Sequence, residues 1–228
     1  FDTLWLAYTQ SIPSATAFNA RPDVSLYDHS KATAAVATAL WAWCEASGRD
    51  TDTLVRGLKD RSLWNEESLL LVQGDFFGIQ DFIFSGAAST QKKAAKILRG
   101  RSFYVSLLTE AAALAVLEKL ALPATSQILN AAGKFLIVAP NTPEVRERLR
   151  ETESIFETWF VKETCAQAGL GLAFQAATLR DLTGERFPKL MRSIFEMRPS
   201  FSKRFARWTA RSSSASMSLR TFSIERAS

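Results

Sequence analysis

The chain has 228 residues, 47% hydrophobic and 22% charged, enough to bury a core in one large or two small domains. Its formal net charge of +5 is compatible with a nucleic-acid-contacting subunit and too mild to establish one. A single histidine excludes multi-histidine metal sites, and the two distant cysteines, Cys44 and Cys165, read as buried thiols of a reducing compartment.

No 18-residue apolar run marks a membrane span. The opening FDTLWLAY has no initiator Met and no basic leader, so a cytoplasmic location is expected, in a chain that can be part of something longer. Sixteen Phe and six Trp point to an aromatic-rich core or interface.

Residues 1–12 have helical spacing in Leu4, Trp5 and Tyr8, and prolines 13 and 22 break the following stretch into a loop. A helix capped by Asp28 or Ser30 follows, with Ala34, Ala37, Leu40, Trp41 and Cys44 on its apolar face, ending near Gly48. Residues 48–68 are charged and weakly periodic, as expected of a connector.

Leu69 to Gln73 is predicted as a buried strand closing on Gln73-Gly74-Asp75, and Ile79 to Phe84 as a short helix. A Gly/Ala/Ser loop and a basic run lead to a main helix over about Ser102 to Leu120, which stops before Pro123. Ser126–Asn130 and Lys134–Ala139 read as strands of a hairpin around Ala131-Ala132-Gly133. A helix over Pro143 to about Ala168 and a last strand over Gly171–Thr178 complete the order β-α-β-β-α-β. The fold class is α+β: a helical N-terminal part (1–60), then a ferredoxin-like palm (68–180) with helices on one face of an antiparallel sheet. A helical extension (181–210) and a Ser/Arg-rich tail (211–228) follow.

Asp75 is the first candidate for chemistry, because a glycine-flanked acid at a strand's carboxyl end is where α/β sites present acids. Two-metal phosphoryl chemistry needs a second anionic ligand, and the hairpin Asn130-Ala131-Ala132-Gly133-Lys134 has none. Asp75 is therefore left with two roles: capping the turn or helix that follows, or lining a nucleotide pocket shared with another domain. Gly74 and Gly78 belong to no GxGxxG or P-loop motif.

Asp28-His29 is the one Asp-His pair and the remaining metal candidate; a histidine-aspartate hydrolase needs several such ligands. Lys92, Lys93, Lys96, Arg99 and Arg101 form a basic run, and Lys203, Arg204 and Arg207 a second one interleaved with Phe201, Phe205 and Trp208. Each is a candidate contact for a nucleic-acid backbone or a neighbouring subunit, weighed against a solvated face.

Four stretches carry a resemblance: PDVSLYDHSKATAAVATAL (22–40), QGDFFGIQDFIF (73–84), KILRGRSFYVSLLTE (96–110) and AAGKFLIVAPNT (131–142). In this order and spacing the chain resembles the large multidomain subunit of type III, III-A-like, CRISPR RNA-guided effector complexes. The resemblance implies an N-terminal histidine-aspartate nuclease for single-stranded DNA, a first palm, a linker domain, and a second palm with a Gly-Gly-Asp-Asp motif. That second palm makes cyclic oligoadenylates from ATP, with magnesium or manganese, once target RNA is bound. This chain matches the end of the nuclease domain and the first, non-catalytic palm, so it needs no cofactor of its own.

Carried over by residue, Gly74, Asp75, Gly78, Ile79 and Gln80 match the strand-one motif, and Arg99 to Tyr104 match the L-R-G-R-S-F-Y block. Gly133, Lys134 and Phe135 match G-G-G-K-F, where Ala131 and Ala132 replace the first two glycines. The implied pocket or palm–palm interface residues are Gly74, Asp75, Gly78, Gln80, Gly133 and Lys134. The implied partners are the remaining domains of the large subunit, other effector subunits, guide RNA and target RNA. The rival readings are an autonomous RNA-binding ferredoxin-like domain and a stand-alone nucleotidyl cyclase or nuclease. The second lacks its carboxylates and histidines, and the first lacks aromatics on the central strands, Phe135 excepted.

Overall fold

A computed structural model describes residues 2–15, 23–84, 94–164 and 168–197. Three helices lead, α1 (Asp2–Thr9), α2 (Leu26–Ala46) and α3 (Thr51–Lys59). The α/β part runs β1 (Leu69–Phe77), α4 (Ile79–Phe84), α5 (Ala94–Lys119), β2 (Gln127–Ala131), β3 (Lys134–Pro140), α6 (Pro143–Thr164), β4 (Gly169–Ala177), with α7 (Arg186–Glu196) after it. The strands form one sheet in the order β2-β3-β1-β4, every neighbour antiparallel. This is the expected ferredoxin-like βαββαβ arrangement.

The apolar run that opens β1 is explained by what covers it. Leu70, Val72 and Phe76 face α5 and α6, packing with Phe135, Ile137, Val105, Val116, Leu149 and Phe160. Leu69 and Leu71 point the other way, into a second core with Leu136 and Val138, Ala35, Ala39 and Leu40 of α2, and Leu190 and Ile194 of α7. A strand buried on both faces reads as a continuous apolar run instead of alternating. Within the palm the helices lie on one face, as expected; α2 and α7, from outside it, cover the other face and make a third layer. Ala35 and Ala39, both fully buried, present only methyl groups and let α2 lie close to the sheet.

Local signals set the helix ends. Ser25, rather than Asp28 or Ser30, is the N-cap of α2; its hydroxyl accepts from Asp28 N and donates to the Asp28 carboxylate at 2.7 Å. The expected connector contains α3, capped by Asp50 through Thr53 N at 2.6 Å, and buries Leu54 with Trp43, Cys44 and Leu63. Its short apolar face, Leu54 and Leu58, is masked in the sequence by the charges around it. The main helix begins eight residues before the predicted Ser102 and runs through Gly100, a residue that disfavours helix and hides the continuation in the sequence. By length and composition α5 is also apolar enough to cross a membrane, contrary to the sequence expectation. Its inner face, Val105, Ala112, Ala113, Val116 and Leu117, is instead buried against the sheet.

Candidate functional site

Strand β1 does not stop at Gly74-Asp75; it pairs with β3 through Asp75 and with β4 through Phe77. Asp75 stands opposite Lys134 in the ladder, and the ammonium of Lys134 lies 2.5 Å from its carboxylate. Both side chains are about a third to a quarter exposed. The capping role read for Asp75 is replaced by this cross-strand ion pair. Gly78, at φ +74°, turns the chain from β1 into α4, and its own carbonyl accepts the first helical bond from Phe82 N at 2.8 Å.

The β2–β3 hairpin closes through Ala132 and Gly133, at φ +55° and +77°, the two left-handed positions of a type I′ turn. A Cβ on Gly133 would stand 2.6 Å from Ile79 Cδ1, so the turn seats against the first residue of α4. The carbonyl of Gly133 also accepts from Phe76 N at 2.9 Å. Behind it, Glu110 of α5 accepts from Asn130 and from Gln127 Nε2, tying the outer strand to the helix.

Five of the six pocket or interface candidates, Gly74, Asp75, Gly78, Gly133 and Lys134, thus meet at one end of the sheet. Gln80 stands exposed on α4 beside them. Arg101 is used inside this end of the molecule: its guanidinium donates to the carbonyls of Phe82 (3.0 Å) and Ile83 (3.3 Å) at the end of α4. It also lies 6.0 Å from the Phe82 ring, which stacks on Tyr104. Sequence reading missed this clasp between the GDFFGIQ and LRGRSFY blocks, although a cation is a common ligand for orphan helix carbonyls.

Lys96 and Arg99 are exposed on α5. Lys92, Lys93, Lys203, Arg204 and Arg207 lie outside the described residues. Asp28 is held by Ser25, and His29 is exposed at the start of α2. Among the described residues no three His, Cys, Asp or Glu side chains converge on a possible metal position. A carboxylate whose nearest partner is an ammonium does not fit a divalent cation, so Asp75 is not placed to act through a metal.

One buried polar residue escaped the sequence reading. Gln73 lies two residues before Asp75, on the side of the strand that α2 and α7 cover. It is fully buried, and neither end of its carboxamide has a hydrogen-bond partner among the described residues. The signal available was a lone amide inside LLLVQ. A shallow apolar concavity between α5 and α6, lined by Leu108, Ala112, Ile155, Phe156 and Trp159, is separate from Asp75 and Lys134.

Comparison with known proteins places these features in a family. Residues 68–221 match the family described as Csm1 subunit domain B. The chain is 33% identical over 186 residues to a CRISPR system single-strand-specific deoxyribonuclease Cas10/Csm1 (subtype III-A) of Enterococcus italicus, covering 79% of this chain and 23% of that protein. A protein of the same description from Methanocaldococcus jannaschii is 36% identical over 154 residues, 60% of this chain and 19% of that one. The chain spans about a fifth to a quarter of the length of these curated relatives.

Among solved structures, a Csm1–Csm4 cassette in complex with cA4 superposes with a TM-score of 0.68 at 28% identity, covering 86% of this chain and 26% of that one. A Csm1–Csm4 cassette in complex with one ATP gives 0.68 at 29% identity, covering 86% and 25%. With the match over more than half its length, the doubly covered ferredoxin-like sheet and its GDFFGIQ strand, the chain belongs to the Csm1 subunit domain B family of type III CRISPR systems.

Proposed function

We propose that this chain is the scaffold and non-catalytic palm of a type III CRISPR effector, working beside a second palm that carries the metal-binding acids. The observation that carries this reading is the Lys134–Asp75 pair. At the end of β1, where a catalytic palm needs carboxylates free for metal, this sheet holds one acid and neutralises it with a lysine from the hairpin. What remain there are the partly exposed ammonium's further N–H donors, beside a glycine turn, able to donate to an anionic group such as a nucleotide phosphate. Gly133, tucked under Ile79, keeps that turn close to α4.

The relatives solved with ATP and with AMPPNP support a nucleotide as a ligand of the full-length subunit. Their description as Csm1–Csm4 cassettes supports a companion subunit as partner, with guide and target RNA reached through the complex. A cytoplasmic location belongs to the same proposal. The rival reading as an RNA reader on the open sheet loses its surface: α2 and α7 cover that face, and Phe135 is fully buried on the other.

The test uses the chain alone and the full-length subunit that contains it. With ATP and magnesium or manganese, the chain alone is expected to give no cyclic product and no cleavage of single-stranded DNA. In the full-length subunit, Lys134→Met is expected to raise the KM for ATP several-fold. Product formation by the chain alone, lost in Asp75→Asn, would overturn the reading.

A further inference from the structure

Helix α4 is the element against which the Lys134 hairpin is seated, and little of its own keeps it in place. It has six residues, too few for backbone bonds alone to keep a helix formed, and none of its side chains is fully buried. Ile79, Phe82 and Ile83 flank the core between the sheet and α5 and α6 without entering it fully. The position of α4 is therefore set by contacts at its two ends.

At the far end those contacts come from Arg101. The last carbonyls of a helix have no partner within it, and Nη1 of Arg101 donates to two of them, Phe82 O at 3.0 Å and Ile83 O at 3.3 Å. A terminal guanidinium nitrogen carries two hydrogens, one for each carbonyl, on a planar and weakly hydrated group. The Phe82 ring below it stacks on Tyr104 of α5, with the centroids 6.1 Å apart. At the near end, the Ile79 side chain fills the space over Gly133, and the next residue is Lys134, paired with Asp75. Arg101, α4, Ile79, Gly133 and Lys134 thus form one continuous line of contacts. Glu110 of the same α5 accepts from Asn130 and Gln127, so this helix grips the hairpin twice, once directly and once through α4.

We infer that Arg101 is a positioning residue for Lys134: through α4 and Ile79 it fixes the turn that aims the ammonium. For turnover this rests on the proposed role of Lys134 as a donor to a nucleotide phosphate; the hold on the turn stands without it. Hydrogen bonds weaken steeply with misalignment, so a displaced turn loosens an anion without touching a reacting atom. The effect belongs in KM more than in kcat.

The experiment has two arms. In the chain itself, amide hydrogen exchange is read at Phe76, whose N–H is bonded to Gly133 O at 2.9 Å, and at Leu70 and Val72, deep in the same strand. Arg101→Met is expected to speed exchange at Phe76 about fivefold or more and to leave Leu70 and Val72 within about twofold, the pattern of a local opening. Ile79→Ala, which breaks the line without touching Arg101, is expected to do the same. Arg101→Lys keeps a donor and should recover part of the protection. In the full-length subunit with ATP and magnesium, Arg101→Met is expected to raise KM for ATP about threefold with kcat within about twofold. It should add little in a Lys134→Met background, because both act on one contact.

Unchanged exchange at Phe76 in Arg101→Met overturns the inference. Equal acceleration at all three amides does so too, by making Arg101 a general stabiliser. So does full additivity of Arg101→Met and Lys134→Met in KM. If Arg101→Met does not fold, Ile79→Ala and Arg101→Lys decide by the same criterion. Faster exchange at Phe76 with a KM that neither Arg101→Met nor Lys134→Met moves supports the hold on the turn and counts against the nucleotide reading alone.

Discussion

The ring of Phe135 occupies the space that a Cβ on Gly74 would need: a methyl there would stand 2.1 Å from Phe135 Cε1. The two residues are direct cross-strand partners, and Phe135 is fully buried between the sheet and α5 and α6. Gly74 is thus a packing requirement of the central strand. Gly74→Ala is expected to destabilise the chain by about 1–3 kcal/mol, the usual cost of overpacking a close-packed core. Urea unfolding measures it, and Gly74→Ala/Phe135→Leu should recover part of the loss because the two positions share one space. A neutral Gly74→Ala would mean that the ring moves freely.

Ala132 holds a left-handed conformation, φ +55°, that costs an L-residue with a Cβ about 1 kcal/mol or more. Asparagine tolerates that conformation and is favoured at this position of a type I′ turn. Ala132→Asn is expected to raise stability by about 0.5–1 kcal/mol, read as a higher urea midpoint at unchanged slope. A lower midpoint would show that the alanine methyl makes a contact the hairpin needs.

Gln73 is a fully buried polar group in the central strand. A buried amide that finds no partner among the described residues gives up its bonds to water and gains none there, a penalty of about 1–3 kcal/mol. Gln73→Leu should therefore raise the melting temperature of the chain. If the full-length subunit loses nucleotide affinity in the same variant, the carboxamide is kept for a ligand. A fall in the chain's own stability would mean that it does have a partner.

The turn before α7 carries a pH dependence. The Asp181 carboxylate accepts from Thr178 Oγ1 at 2.7 Å and from Thr178 N at 2.9 Å, closing a capping box. The side-chain bond from Thr178 is the main cause that holds this carboxyl below its ordinary value; burial, the next largest effect, opposes it, and the backbone bond and Arg186 add to the lowering. A depressed folded pKa means that the stabilisation is fully present above the unfolded value, near pH 4, and is lost as pH falls through the folded value. Unfolding midpoints followed from pH 5 down to about pH 2.5 should drop more steeply for the native chain than for Asp181→Asn. Parallel curves would remove Asp181 from the acid response.

How much of this was legible in the sequence depended on which layer set the pattern. The βαββαβ order was readable because Pro123, Pro143 and the Ala132-Gly133 turn punctuate it and because LLLV and KFLIV are too apolar for anything but buried strands. The third layer was not, since Leu69 and Leu71 look the same whether water or α2 and α7 lies beyond them. The site residues were readable as a list but not as a relationship. Neither the ladder register that puts Lys134 beside Asp75 nor the bond from Arg101 to α4 follows from spacing, because both bring together residues 18 or more positions apart.

The lysine at the hairpin has a consequence for how this half of an assembly responds to its surroundings. A charge carried by a bound ion comes and goes with the free concentration of that ion and vanishes in chelator. The ammonium of Lys134 is covalently part of β3 and is kept in place by Asp75, so its contribution stays constant while magnesium is withdrawn. Any anion held at this end of the sheet by Lys134 should stay bound in EDTA, uncoupling occupancy from turnover wherever turnover itself depends on metal.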